Sequence, residues 1–375
     1  MKKKKILFIL LGLVLVYFFW ICLAIIRFRT YQATDSKKAE DEIRGAYHIH
    51  TIFSDGRKTP ERIAEIASRS SLDFIILIDH GAPNLEILKA AGWKKGVLVL
   101  AGSELSVSRG HLVALGYQPP ASPFSQNAEK AAYQIKDLDG LSIIAHPYSK
   151  VSWSWGESVG YNGIEIINAN TMLKYNAISL IPLWPALLIK PDYLLLKMLK
   201  RPQNNLQKWD EMNQVHPTFG FYSVDAHLFY SSLLPLLQLH ILLKKPLSSE
   251  FEQAERQVLQ ALRQGRFYNA IDTAARADGF RFWAQHGQKK IPMGGRTSLD
   301  PLATLHIQAA FPFASETHLI HDGKTIITST EETIVYRPVE EGCYRAEVYL
   351  KERTPLHQGI PWILSNPIFF REKSL

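Results

Sequence analysis

His48-Ile49-His50-Thr51-Ile52-Phe53-Ser54-Asp55-Gly56 is the stretch on which the fold turns. Residues 43–50 read as a strand. Positions i and i+2 of a strand share a face, so His48 and His50 can offer two imidazoles to one ligand. The loop that follows carries a carboxylate, Asp55, just beyond the strand end. A helix then opens at Thr59-Pro60-Glu61, with proline suited to the first turn.

Outward from this stretch the same arrangement recurs. The apolar run 73–79 is a buried strand that ends at Asp79-His80, followed by a short helix over 85–91. Strands are expected over 97–107, which carries Glu104, and over 111–117, which begins with His111. After a helix at 128–138, the strand 141–145 ends at His146-Pro147. Further strands at 164–167 and 219–224 flank a helix at 203–214, and the second of them ends at Asp225-Ala226-His227. A long amphipathic helix covers 249–264. Strands alternating with helices predict an α/β fold with a parallel sheet and crossovers. In a closed sheet of that kind the strand ends converge on one face, where sites assemble.

Nine residues at those ends form the candidate ligand set: His48, His50, Asp55, His80, Glu104, His111, His146, Asp225 and His227. Six imidazoles and three carboxylates exceed the needs of one ion, so two or three divalent ions are expected. Without thiolates the set suits Mn, Zn or Fe. His216, His240, His286, His306, His318, His321 and His357 read as structural histidines. Cys22 and Cys343 are too few and too far apart for a disulfide framework or a cysteine zinc site.

Near residue 277 the pattern changes to period two, as in Tyr344, Ala346, Val348 and Leu350, and Asp322-Gly323 marks a hairpin. Residues 288–375 are therefore expected to form a small antiparallel, sandwich-like β domain, after a catalytic unit over 43–287. At the other end, residues 6–26 carry no charge and are about 30 Å long as a helix, enough to cross a bilayer. No small-x-small cleavage site follows, so an uncleaved single-pass anchor at the cell membrane is expected, with a polar tether over 30–42. Lys2 to Lys5 precede the span and favour a cytoplasmic N-terminus with the catalytic body outside.

The chain has 43 Lys and Arg against 35 Asp and Glu. Residues 1–29 hold six of the basic residues and no acid, leaving 37 against 35 for the rest. A sequence-specific nucleic-acid surface is thus not expected. Two apolar stretches, 177–189 and 228–243, are broken by Pro182, Pro185 and Pro235 and flanked by lysines. They read either as buried core or as segments at the rim of the site that dip into the bilayer.

The ordered set HIHTIFSDG, the Ile78-Asp79-His80 triplet, Glu104, Gly110-His111, His146-Pro147 and Asp225-Ala226-His227 resembles the polymerase-and-histidinol-phosphatase (PHP) family over residues 43–275. The resemblance implies a distorted (β/α)7 PHP barrel with a trinuclear site held by the nine residues named above. Ile78 stands where a threonine is common and touches no ligand. The tail 361–370, PWILSNPIFF, resembles the carbaryl-hydrolase-like branch of that family. A metal lowers the pKa of bound water towards neutrality, so hydroxide can attack phosphorus or a carbonyl carbon without a protein nucleophile. Asp79 is a candidate partner for a ligating imidazole, and Arg109 a candidate bidentate contact for a phosphate oxygen. The expected activity is a phosphoesterase on a small phosphomonoester or phosphodiester, of nucleotide or lipid headgroup type. The alternatives are an ester, amide or carbamate hydrolase with the same site, or a non-catalytic tethered binding protein.

Overall fold

The computed structural model describes residues 2–31, 41–149, 160–183, 185–352 and 354–371. The chain opens with α1 (Lys2–Arg27), continues through β1 (Glu42–Ile49), α2 (Pro60–Arg69), β2 (Phe74–His80), α3 (Leu85–Leu88), β3 (Gly92–Lys94), β4 (Val97–Val107) and β5 (Gly110–Leu115). Then come α4 (Ala128–Asp137), β6 (Leu141–Ala145), β7 (Gly163–Asn168), α5 (Ala169–Asn176), a 3-10 turn (Ile178–Leu183), α6 (Pro185–Ile189), α7 (Pro191–Met198) and α8 (Gln203–Val215). β8 (Phe219–Ser223), α9 (Tyr230–Leu233), β9 (Gln238–Leu242), α10 (Phe251–Arg263) and β10 (Phe267–Ala270) complete this part of the mixed α/β fold.

The sheet runs in the order β9-β1-β2-β4-β5-β6-β7-β8. The pairs β1/β2, β2/β4, β6/β7 and β7/β8 are parallel, as the alternation of strands and helices requires. β5 departs from the expected parallel sheet, pairing antiparallel with both β4 and β6. The two residues Ser108 and Arg109 between β4 and β5 are too short a link for a crossover, and a link that short joins antiparallel neighbours.

The two ends of the sheet meet. Val224 N–H donates to Tyr47 O (3.0 Å), Ala226 N–H to His48 O (3.2 Å) and His50 N–H to Ala226 O (3.0 Å). Lower down, β10 is wedged beside β8 and two buried asparagines replace a backbone ladder. Asn269 Oδ1 accepts from Tyr222 N (2.7 Å) and Asn366 Oδ1 from Gly220 N (2.8 Å), while their amides donate to Gly220 O and Phe267 O. Inside this curl, Ile43, Tyr47, Phe74, Ile76, Leu100, Val113, Ile143, Phe221 and Leu239 pack as one cluster, and Ala254, Val258, Ala261 and Leu262 of α10 close its lower end. The face opposite α10 is left for the polar strand ends.

Helices cover the outer face. α2 begins where Thr59 Oγ1 accepts from Arg62 N (3.3 Å), with Pro60 in its first turn, as capping predicts. Ten further strands, β11 to β20, lie between residues 281 and 370. β15 (Ser315–His321) and β16 (Lys324–Ser329) form the hairpin expected at Asp322-Gly323. β18 (Gly342–Leu350) pairs with β19 (Ile363–Ser365), which pairs with β10, so the C-terminal strands extend the main sheet.

α1 is long and apolar enough to cross a membrane by length and composition. Its last turns are docked: Ile25 and Phe28 are buried, Lys190 Nζ donates to Phe28 O (2.6 Å) and Tyr31 pairs with the 274–276 segment. Most of the expected tether, residues 32–40, falls outside the described residues. The two apolar stretches differ. The 228–243 stretch becomes α9 and β9 with Leu233, Leu234, Leu236, Leu237 and Leu239 buried, which corrects the idea that it dips whole into lipid: β9 is paired on both edges and its side chains are buried on both faces. In the other stretch, Ile178, Ile181, Leu187, Leu188 and Ile189 are exposed.

Candidate metal centre

All nine candidate ligands come together at the strand ends opposite α10. β1 delivers two of them by an irregularity: its register with β2 shifts between Tyr47 and Ile49, and His48 adopts a φ of 68°. Tyr47 and His48 can therefore both turn inward while Ile49 packs outward with the helices. His146 (φ 29°) and Asp225 (φ 48°) also lie in the left-handed region, a conformation that costs about 1–3 kcal/mol per residue and that the surroundings must hold in place. Three strained backbones at three candidate ligands mark a site built for something other than stability. Gly56 closes the loop after His50, since a Cβ there would lie 2.5 Å from the His50 carbonyl carbon.

Glu104 is the hub. Its Oε2 lies 3.3 Å from His48 Nε2, His50 Nε2 and His80 Nδ1, and its Oε1 lies 2.8 Å from His111 Nδ1 and 2.9 Å from His146 Nε2. Asp225 Oδ1 is 3.3 Å from His50 Nε2 and 3.5 Å from His227 Nδ1. Asp55, the exposed member, faces His50 Nδ1 (3.3 Å), His227 Nε2 (3.1 Å) and His80 Nε2 (3.7 Å). Donor atoms of His50, Asp55, His80 and His227 lie within 4.8 Å of one another, as do those of His48, His50 and Glu104 and those of His80, Glu104 and His111.

Sequence reasoning missed Glu165. It is fully buried in β7 and accepts from His48 Nδ1 (2.6 Å), His146 N (2.9 Å) and Asn168 Nδ2 (2.9 Å). A carboxylate only accepts, so it fixes the proton of His48 on Nδ1 and turns the Nε2 lone pair toward the cluster, as ligating histidines require. The available signal was one acid inside the apolar run Gly163–Asn168, where a buried charge must have a partner. Asp79, expected to meet an imidazole, instead accepts from Thr51 N (2.8 Å), Thr51 Oγ1 (2.6 Å) and Ser54 Oγ. It holds the 51–56 turn that presents Asp55.

The electrostatics favour a cation. Burial alone would raise the Glu104 carboxyl, yet the imidazoles around it, His48 first, hold it well below its usual range. Burial would lower His50, but Asp225 and Asp55 push it up to about 9. Protons thus collect where positive charge is wanted. His48 Nε2, His50 Nε2 and His80 Nδ1 are buried without a hydrogen-bond partner among the described residues. Native interiors rarely leave such atoms unpaired, and divalent cations satisfy all three. The donor set fits the metals expected from the sequence.

The centre floors a cavity of about 610 Å³. Arg109, exposed in the β4–β5 turn with a φ of 73°, lines one side of it. Asn170, Lys174 and Tyr175 of α5 line another, and Asn170 Nδ2 donates to Asp225 Oδ2 (3.2 Å).

No family model matches the chain. An uncharacterised protein of Methanocaldococcus jannaschii, MJ1587, is 26% identical over 137 residues, 32% of this chain and 80% of that protein. The fold is similar to a two-domain protein from Bacteroides vulgatus containing a predicted PHP-like metal-dependent phosphoesterase, with a TM-score of 0.47 and 13% identity over 91% of this chain and 99% of that one. It is also similar to an amidohydrolase from Chromobacterium violaceum with bound sulfate and no metal, with a TM-score of 0.32 and 16% identity over 48% and 87% of the two chains. At these scores the chemistry has to be read from the side chains.

Proposed function

We propose that this chain is a membrane-anchored hydrolase that uses two or three divalent metal ions to cleave a phosphoester. The observation that carries the reading is the gathering of six imidazoles and three carboxylates around Glu104, with three buried nitrogens that lack a hydrogen-bond partner among the described residues. The nine residues would hold the ions between them, His50, Asp55, His80 and His227 one, His48, Glu104 and Asp225 a second, and His111 and His146 together with Glu104 a third. When bound, such ions supply Lewis acidity toward a phosphoryl oxygen and acidify a water molecule. The chain's own part is to keep each imidazole in the ligating tautomer, Glu165 doing so for His48, and to exclude bulk water below the strand ends.

Arg109 and Lys174, on two sides of the cavity, favour phosphate over a neutral ester: a guanidinium grips a phosphate bidentately, and an apolar lining would be expected for a carbamate or carboxylic ester. The same reading takes residues 43–287 as a distorted seven-stranded barrel, β1, β2 and β4 to β8, supported by the three hydrogen bonds that join β8 to β1. It takes residues 288–375 as a stabilising β cap, and residues 6–26 as a single-pass anchor with the body outside the cytoplasm.

The test uses the full chain in detergent, stripped with chelator and reloaded with Mn, Zn or Fe, on matched nitrophenyl phosphate, phosphodiester, carboxylic ester and carbamate substrates. Metal-dependent phosphate release is expected. Cleavage of the carboxylic ester or carbamate alone would overturn the phosphoesterase assignment.

A further inference from the structure

We propose that the open end of this cavity lies at the bilayer surface and that the phosphoester it takes is the headgroup of a membrane lipid. The inference rests on the phosphoesterase reading above and adds the substrate class.

Three segments that carry cavity-lining residues, at Asp55, His227 and Tyr175, continue into exposed apolar side chains. Next to His50 and Asp55 stand Ile52 (51% exposed) and Phe53 (40%); next to His227 stand Leu228 (50%) and Phe229 (58%). Past Tyr175, the chain continues as Ile178 (83%), Ile181 (64%) and, in α6, Leu188 (79%). Single exposed apolar residues are ordinary, but three groups of them on segments that flank one polar site mark a surface that is covered in use. Phe229 sharpens this, because it is held in the left-handed region (φ 52°), a costly conformation for an aromatic residue. The backbone is strained at the point where a large apolar ring is held out into solvent.

What covers this surface is indicated by α1. This helix has no buried residues in its apolar window and is long enough to span a bilayer. Its last turn packs against α6, with Lys190 over the Phe28 ring and Phe28 against Tyr193. α6 packs on α7, α7 on α9, and α9 begins two residues after Leu228. The Tyr230 hydroxyl then ties α9 to the His50 carbonyl (2.9 Å). One continuous packed layer therefore links the end of the spanning helix to that surface. Arg27 and Arg29 at the end of α1 and Lys197 and Lys200 at the end of α7 are exposed, where cations meet lipid phosphates while apolar neighbours enter the acyl boundary.

For a lipid phosphomonoester the reaction balances simply. The oxygen of water bonds to phosphorus, the bond from phosphorus to the glycerol oxygen breaks, and one water proton ends on that oxygen. The products are inorganic phosphate and diacylglycerol.

The full chain, loaded with the metal that supports nitrophenyl phosphate turnover, is reconstituted in phosphatidylcholine vesicles containing phosphatidate. Phosphate release from phosphatidate is expected at a kcat/KM at least a hundredfold above that for glycerol 3-phosphate in the same vesicles. The double variant Leu188→Ser, Phe229→Ser should lose tenfold or more on phosphatidate and keep its nitrophenyl phosphate turnover, which also reports an intact fold. In Phe229→Trp, brominated phosphatidylcholine should quench emission beyond that of the parent. Turnover of nitrophenyl phosphate and glycerol 3-phosphate without turnover of phosphatidate overturns the lipid assignment and spares the phosphoesterase reading. So does a double variant indistinguishable from the parent on phosphatidate. No phosphate release from any of the three removes both.

Discussion

Two buried clusters of histidine and carboxylate sit at opposite ends of the same strand. At the end of β1, His48 and His50 join Glu104, Glu165 and Asp225; at its start, Glu42 joins His240, Asp272 and Asp278. Proximity alone would assign a metal to both, since donor atoms of Glu42, His240 and Asp278 also lie within 4.8 Å of one another. Hydrogen-bond completeness separates them. His240 donates from both nitrogens, to Glu42 (3.0 Å) and Asp272 (3.1 Å), and Tyr268 donates to Glu42. Arg281 pairs with Glu42, Arg44 with Asp278 and Arg276 with Asp272. That cluster already holds its cations. Among the described residues, no lysine or arginine pairs with Asp55, Glu104, Glu165 or Asp225 at the strand-end cluster, and three of its nitrogens have no hydrogen-bond partner. Buried charge is tolerated when it is neutralised; the Glu42–His240 cluster neutralises itself, and the strand-end cluster is left suited to an ion from outside.

A pair of substitutions would break this comparison most directly. Asp225→Ala should lower metal-dependent turnover by about a thousandfold or more and cut the bound metal measured by elemental analysis, with the circular dichroism spectrum kept. His240→Ala should do the reverse. It strands buried carboxylates and should cost about 3–5 kcal/mol in denaturant unfolding, with metal content unchanged. Metal lost from His240→Ala and retained in Asp225→Ala would exchange the two assignments.

The same contrast predicts a pH dependence. Burial would lower His240, but Asp272 and Glu42 push it up to about 10, and burial notwithstanding, His240 and Arg281 bring Glu42 down to about 2. A folded value above the unfolded one, about 6.5 for histidine, means a contribution fully present below pH about 6.5 that is lost as pH rises to about 10. For Glu42 the contribution is present above its ordinary carboxylate value and lost as pH falls toward about 2. The stability difference between the parent and His240→Gln should thus be largest near pH 6 and shrink by at most about 1.4 kcal/mol per pH unit, the slope for one proton. A difference that grows between pH 7 and 10 would contradict an imidazolium at this position.

The comparison also shows what a sequence can disclose. The strand-end residues were legible because ligands need a type and a spacing, and His48-x-His50 and Asp225-x-His227 supply both. The device that turns His48 inward, a register shift with a positive φ, leaves no trace in residue type. Glu165 was hidden for the converse reason: a partner that fixes a tautomer needs only a position, and one acid in an apolar strand has no pattern. His240 was read as structural, and so it is placed, but its carboxylates come from 32 to 198 residues away. The parallel sheet expected from alternation fails at β5, where a two-residue link outweighs the pattern, and again at β3, β9 and β10, which pair antiparallel with their neighbours. Asn269 and Asn366, which stand in for a backbone ladder between β8 and β10, could not have been told from ordinary polar residues.

The smallest effect concerns Asp79, the one expected partner of an imidazole that the fold turns elsewhere. Its carboxylate takes three donors from Thr51 and Ser54, and those residues hold the turn that aims Asp55 at His50, His80 and His227. In Asp79→Asn one acceptor oxygen becomes a donor facing donors, a loss of about 1–3 kcal/mol locally. Part of it reaches the centre, because only one of the proposed ion positions depends on Asp55. Metal affinity should fall three- to tenfold, and the loss should be recovered at saturating metal, with kcat restored to within twofold of the parent. A residue that touched the reacting atoms would behave differently: kcat would stay low at any metal concentration, and Asp79 would then belong to the chemistry and not to the turn that supports it.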